Sequence, residues 1–336
     1  MAVFVIIVNY RTAALVVDCL RSLSTSVRAL GGGRVLIVDN ASGDGSVEHI
    51  SAAIAGHGWS AWTEVMALPK NGGFAYGNNA GLRRAHTLDD RFSAVVLLNP
   101  DTVVASDMLA TLLGYLEGHP RCGIAGAGIV GADGTPETSA HRWPSPLGEL
   151  ESAAQVGWAS RLLSRYAVSN APLSMAHACD WVSGACMAIR REVLDAVGPL
   201  DEGYFLYFEE VDYCLRAKQA GWQCVFVPQA RVTHFEGAST GIAIGRKRRP
   251  AYWYASRRRF FVKAYGALGL LAADVLWAVG RASLVVRRAL RLGGRAGLER
   301  EPLHFARDLL YGDLKAIFRG EWRRIERLTG RAHAAG

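Results

Sequence analysis

With 336 residues, 50% of them hydrophobic and 20% charged, the chain has the composition of a globular protein with a large core, which excludes disordered and fibrous classes. The formal net charge of +8 hides a division: residues 246–336 hold 21 Lys/Arg against 7 Asp/Glu, a net +14, and residues 1–245 hold 17 against 23, a net −6. The cysteines at 19, 122, 179, 186, 214 and 224 have no CxxC spacing and sit mostly in apolar runs, which excludes a disulfide framework or thiolate zinc site and fits reduced thiols in a cytosolic protein.

The opening MAVFVIIVNYRT lacks a basic leader and turns polar at once, so it reads as a buried first strand, Val3–Val8, rather than a signal peptide. Helix patterns are expected over Thr12–Leu23, Asp44–Ala55, Ala75–Ala85 and Ser106–Glu117, the last with Ser106 as N-cap. Strands are expected over Arg34–Val38, Ala61–Leu68 and Val95–Leu98. Continuous β-branched runs alternating with helices predict a mainly parallel, doubly wound α/β sheet, whose ligands bind beyond the carboxyl ends of the strands.

Polar residues collect at those ends. Asn9-Tyr10-Arg11-Thr12 follows the first strand, Asp39-Asn40-Ala41-Ser42-Gly43-Asp44 the second, Asn71-Gly72-Gly73 through Asn78 the third, and Asn99-Pro100-Asp101-Thr102 the fourth. Each alone is ordinary turn chemistry. Together they describe a site: Asp39 can accept hydrogen bonds from a uracil or thymine imide or from a ribose. The glycines of the third loop let backbone approach a diphosphate, and Asp101 on its tight turn can hold a hard divalent cation. Neither GxGxxG nor a P-loop is present.

A strand is expected from Cys122, then a mobile excursion over His141–Ala178, then a strand over Asp180–Ile189 whose Ser183-Gly184-Ala185 leaves room for a substrate. Next, Glu209, Glu210 and Asp212 cluster at the start of a helix ending at Gly221, and WQCVFV forms a strand with His234 just past it. The tail from Arg246 carries a 17-residue run, Ala264–Gly280, apolar except for Asp274 and flanked by arginine clusters; that is short for a span of about 20 residues. It reads as an in-plane or shallowly inserted amphipathic hairpin with an anionic membrane as its partner, the alternative being a basic helical pair packed on the body.

VIIVNYRT, LIVDNASGDGS, NGGFAYGNNAG, LLNPDTVV, the stretch VSGACMAIRREVLDAVGPLDEGYFLYFEEVDYCLRAKQAGW and THFEGAST, in this order, resemble the family 2 glycosyltransferases with the GT-A (nucleotide-diphospho-sugar transferase) fold. The likeness runs from about Val3 to Ser239 and is greatest to bacterial rhamnosyltransferase-type members that build cell-surface polysaccharides. It implies a Rossmann-like mixed, mostly parallel sheet over residues 1–245, with a nucleotide-binding half to about residue 130 and an acceptor half beyond, followed by a basic helical extension over 246–336. It implies inverting transfer of a sugar, rhamnose among the candidates, from a dTDP- or UDP-sugar to a lipid-linked or polysaccharide acceptor. Mg²⁺ or Mn²⁺ would be the cofactor, the cytoplasmic face of the membrane the location, and no nucleic acid a partner.

By position, Glu210 would be the catalytic base, with Glu209 and Asp212 supporting it. Asp101 and His234 would hold the metal, and Asn9, Arg11, Asp39, Asn71, Gly73, Asn78, Asn99 and Asp101 would bind the donor. Two departures stand out: the metal turn, Asn99-Pro100-Asp101, offers one carboxylate, and the base position holds Glu where many members carry Asp. A sugar-1-phosphate nucleotidyltransferase is the competing enzyme, although NYRTAAL supplies one arginine and no glycine for a triphosphate; a non-catalytic nucleotide or nucleic-acid binder acting through the tail is the other alternative.

Overall fold

The computed structural model describes residues 3–155, 163–169, 174–235, 247–290 and 302–333, with side chains up to residue 327. The expected domain boundary at 245/246 and residues 236–240 of the sixth motif lie outside them.

The chain divides into two compact units. The first comprises residues 1–141, 170–205 and 209–241. It holds strands β1 (Val3–Asn9), β2 (Gly33–Asp39), β3 (Thr63–Ala67), β4 (Ala94–Leu98), β5 (Thr102–Val104), β6 (Cys122–Val130), β8 (His177–Cys179), β10 (Cys186–Arg190) and β11 (Gln223–His234) in one nine-stranded sheet. Its path runs β3-β2-β1-β4-β10-β6-β11-β5, with β8 paired to β11, and β7 (Ala140–His141) and β9 (Trp181–Val182) form a separate two-stranded ribbon. Around them lie helices α1 (Ala13–Ala29), α2 (Ser46–Gly56), α3 (Phe74–Leu88), α4 (Met108–Gly118), α6 (Arg191–Val197) and α7 (Glu209–Gln219).

Every residue of β1 and β4 is buried, as continuous apolar runs require in a sheet covered on both faces. β1 pairs in parallel with β2 and β4, whereas β10 is antiparallel to both of its neighbours, so the sheet is mixed. Pro228 falls within β11 at a shift of register against β6, a bulge that accommodates its missing donor. Cys19, Cys122 and Cys186 are core residues, and all six thiols are free.

Several sequence expectations are corrected. The helix expected from Ser106 begins at Met108; Asp107 is its N-cap residue and makes no side-chain cap bond. The strand expected over Asp180–Ile189 is broken into β9 and β10 by Ser183-Gly184-Ala185. His234 is the last residue of β11 rather than lying past it. The expected excursion after His141 contains helix α5 (Pro146–Ala154), started by Pro146 and capped by the Ser145 hydroxyl, which accepts from Gly148 N at 3.1 Å.

The second unit comprises residues 142–169, 206–208 and 242–336. Thus α5, assigned by sequence to the acceptor half, groups with the C-terminal helices. The tail forms a hairpin: within α8 (Ala251–Ala289) two helical arms meet at Gly266, whose φ of 70° and ψ of −179° are not helical, and fold back so that Arg257 of the first arm pairs with Asp274 of the second at 2.9 Å. This hairpin packs on α5, on α9 (Phe305–Phe318) and on α10 (Glu321–His333). Gly280 permits the approach to α5: a Cβ there would lie 2.9 Å from Leu150 O. By length and composition α8 is the described helix that could cross a membrane.

Candidate active site

The strand register gathers the polar loops. Asn9 pairs with Asp39 across β1 and β2, and Leu98 pairs with Ile7 on one side and Cys186 on the other. The residues after β1, β2 and β4, and Gly184 just before β10, therefore share one edge of the sheet. Thr233 of β11 pairs with Val130 of β6, which brings His234 to that edge as well.

Asp39, 2% exposed, is a hub of the first two loops. Its Oδ2 accepts from Asn9 Nδ2 at 2.7 Å and from the Ser42 hydroxyl at 2.6 Å, and its Oδ1 accepts from Ser42 N at 2.9 Å. A carboxylate accepts about four hydrogen bonds, so one position remains for a ligand. Arg11, at φ 58°, donates from its backbone N to Ser42 Oγ and from Nε to Ser42 O, leaving its side chain exposed at the loop rim.

The third loop is held by Asn40, which sequence reasoning did not single out. Its buried amide donates to Asn71 Oδ1 at 2.9 Å and to Gly73 O at 3.0 Å, and its Oδ1 accepts from Gly72 N at 3.3 Å. Gly73 is required twice over: its φ is 89°, and a Cβ would fall 2.0 Å from Phe205 O. Phe74 N, at the start of α3, donates to that same carbonyl at 2.8 Å. Asn78 is 1% exposed and donates to Phe74 O, within its own helix. Asn79, also unanticipated, donates to Leu200 O and Glu202 Oε1 and accepts from Leu200 N, tying α3 to the 200–205 segment. Gly77 and Gly81 serve packing: a Cβ at either would lie 2.7 or 2.6 Å from Val8 or Ile6. Arg84 is engaged by Glu64 at 2.6 Å, and Arg83 lies 3.7 Å from Glu202.

At the metal turn, Asn99 N donates to Ala185 O and the Thr102 hydroxyl closes onto Asn99 O at 2.7 Å. Asp101 is 1% exposed, and its Oδ1 lies 3.3 Å from His234 Nε2. The pairing of His234 with Thr102 and the bond from Phe235 N to Asp101 O fix this approach. Among the described residues no three His, Cys, Asp or Glu converge on a metal position. One carboxylate and one imidazole fit a cation that takes its remaining ligands from substrate phosphates and water, the usual habit of Mg²⁺.

Helix α7 (Glu209–Gln219) opens with the three acids in its first turn. The chain enters it through Tyr207 and Phe208, both at positive φ (70° and 69°), a conformation that costs such residues about 1–2 kcal/mol each. Asp212 is an anchor: its Oδ1 accepts from Tyr204 OH at 3.2 Å and its Oδ2 from Arg216 Nε at 2.9 Å, while Arg216 also caps Val197 O and Pro199 O. Glu209 and Glu210 differ from it. Each has a buried Oε2 without a hydrogen-bond partner. Burial pushes Glu210 up to about 7, against the opposing pull of the Glu210 and Val211 backbone N–H groups. Burial, and then the Glu210 charge, lift Glu209 well above the usual carboxylate range. Gly184 faces Glu210, its Cβ position at ordinary contact distance, 3.7–3.9 Å, from the Cβ, Cγ and Cδ of that side chain.

The structure thus joins Asn9 to Asp39 and Asp101 to His234, and sets Glu210 beside Gly184, all on one sheet edge. The model of the glycosyltransferase-like family 2 matches residues 2–253. The chain is 29% identical over 287 residues to an N-acetylglucosaminyl-diphospho-decaprenol L-rhamnosyltransferase of Mycobacterium tuberculosis, covering 79% of this chain and 87% of that one. It is 25% identical over 169 residues to the rhamnosyltransferase WbbL of Escherichia coli, covering 48% and 61%. In fold it is similar to the mannosyltransferase PcManGT of Pyrobaculum calidifontis, solved in complex with GDP-Man and Mn²⁺, with a TM-score of 0.54, 17% identity, and 98% and 83% of the two chains covered. It is also similar to S. aureus TarS 1–349 in complex with UDP-GlcNAc, with a TM-score of 0.51, 17% identity, and 89% and 77% covered. A GT-A sheet with its acids along the carboxyl edge and a family match over most of its length lead to one conclusion: this chain belongs to the family 2 glycosyltransferases.

Proposed function

We propose that the protein transfers a sugar, with inversion, from a dTDP- or UDP-sugar to a hydroxyl of a lipid-linked saccharide at the inner face of the cytoplasmic membrane. The likeness to two rhamnosyltransferases makes rhamnose the sugar to try first. The observation that carries the reading is Glu210, a carboxyl pushed up to about 7 beside Gly184 at the edge of the sheet. A base of that strength is half ionised near neutral pH and can take the proton of an attacking hydroxyl.

Asp39, held by Asn9 and Ser42, presents its remaining acceptor position to the base or ribose of the donor. The N–H groups of Gly72, Gly73 and Phe74 are taken by Asn40, Asn71 and Phe205, so this loop shapes the donor pocket without donating to the diphosphate. Asp101 and His234 would hold Mg²⁺ or Mn²⁺, which when bound supplies positive charge to the leaving diphosphate. Glu210 takes the acceptor proton as the hydroxyl attacks the anomeric carbon from the face opposite the diphosphate. Glu209, kept protonated by burial and by its neighbour, leaves Glu210 as the ionised member of the pair. With Glu210 acting as base on the acceptor and no carboxylate assigned as nucleophile, the transfer is a single displacement.

The test is transfer by wild type and Glu210→Gln, with the product's anomeric configuration read by NMR. Loss of about 10²–10⁴ in rate with nucleotide binding intact, and an inverted anomer, are expected. A retained configuration, or full activity in the variant, would overturn the mechanism.

A further inference from the structure

The second unit buries a cluster of charges as well as an apolar cluster of Ala153, Tyr254, Trp277 and Leu309. Arg257 is 1% exposed, and its guanidinium pairs with Glu149 at 3.1 Å, Asp274 at 2.9 Å and Asp313 at 3.1 Å. Arg258 joins them through Asp313 at 2.7 Å.

Other apolar side chains of the same helices are exposed. Along α8, Leu268 (82% exposed), Leu271, Val275, Val279, Val286 and Leu290 recur every three or four residues, apart from one gap of seven, and so form one stripe. Leu270, Ala273, Asp274, Trp277 and Leu284 are buried on the opposite face. In α9, Tyr311, Leu314 and Phe318 (87% exposed) repeat the arrangement, opposite buried Leu309, Asp313 and Ala316. Isolated exposed apolar residues are ordinary, but two continuous stripes back to back with a buried ionic cluster are the distribution that lipid-facing helices adopt.

We infer that the exposed apolar stripes of α8 and α9 are a docking surface for an anionic lipid leaflet, entered in the plane of the bilayer rather than across it. The deduction rests on the proposed transfer to a lipid-linked acceptor only for its biological sense; its physical basis is the surface itself. Charge complementarity names the occupant: residues 246–336 carry a net +14, and exposed Lys315 and Arg319 stand beside Leu314 and Phe318 of the α9 stripe. The in-plane orientation follows from the opposite face, which is covered by α5 and by the charges around Arg257, and from the hairpin bend at Gly266. This differs from a purely basic patch, because apolar side chains enter the acyl boundary and the cations add to their hold.

The test is flotation of the full-length chain with vesicles of phosphatidylcholine and phosphatidylglycerol at 3:1, at low salt and in 0.5 M NaCl, alongside Val275→Glu/Val279→Glu. Both positions are exposed, so the fold is kept, and a nucleotide thermal shift equal to wild type verifies the donor site independently. Wild type is expected to float with the vesicles in both salts, and the variant to lose about a hundredfold or more in partitioning. Three results would overturn the inference: no flotation of wild type, flotation abolished by salt (charge alone), or equal flotation of the variant. An equally floating variant that turns from oligomer to monomer in light scattering would assign the stripe to a second copy of the chain instead.

Discussion

Glu210→Gln separates the chemistry of the buried acid from its cost to the fold. A carboxyl moved from 4.5 in the open chain to about 7 in the folded one binds its proton more tightly when folded. Stability is therefore greatest below 4.5 and declines as pH rises through about 7, where the folded protein must carry the charge without full solvation. Between pH 5 and pH 8 the loss is about 2–3 kcal/mol. Relief of Glu209 from its neighbour's charge has the same sign. The Gln amide brings its own burial cost, equal at every pH, so the informative quantity is how the difference between variant and wild type changes. Thermal unfolding of the ligand-free proteins should move in favour of the variant between pH 5 and pH 8 by roughly 5–10 °C. Parallel pH profiles would refute the buried-acid reasoning, whatever the variant did to catalysis. In wild type, transfer should rise with pH through about 7 as the base ionises.

Asp101→Asn should abolish the metal-dependent part of the stabilisation by UDP or dTDP, which at a hundred times the dissociation constant is worth about 2.7 kcal/mol and is read as a thermal shift; an unchanged shift with Mn²⁺ would remove Asp101 from the metal site. Gly73→Ala must move Phe205 or abandon its φ of 89°, and is expected to lower stability by about 2–4 kcal/mol in denaturant titration, with nucleotide binding weakened in step. Arg257→Met leaves Glu149, Asp274 and Asp313 facing one another and should destabilise the second unit by about 3–5 kcal/mol at pH 8. That loss should shrink at pH 5, where Asp274, pushed up to about 7 by burial, is neutral; hydrogen exchange of α8 amides would report it.

The polar loops were legible because each follows an apolar strand in sequence, and parallel pairing carries such residues to one edge whatever the details. Asp39, Asp101 and Glu210 could thus be named from the chain alone. The partners that set their properties could not. Asn40, Asn79, Tyr204 and Arg216 look like ordinary loop and helix residues until tertiary contacts give them Gly73, Leu200 and Asp212. Likewise Gly77 and Gly81, adjacent to the Gly72-Gly73 loop in sequence, serve the fit of α3 on β1.

The tail shows the limit most clearly. Its net charge and the apolar run around Asp274 were plain in the sequence and pointed to a basic amphipathic surface. Which side chains face outward depends on what each helix packs against, and that is a long-range matter. Arg257 meets Glu149 across 108 residues of chain and Asp313 across 56, contacts that periodicity does not encode. Local pattern determined where the strands, helices and polar loops fall, because hydrophobic repeats and turn chemistry act over a few residues. Only the tertiary structure decided which acids are raised and which anchored, and which face of the tail is left apolar, because burial and charge pairing join residues far apart in the chain.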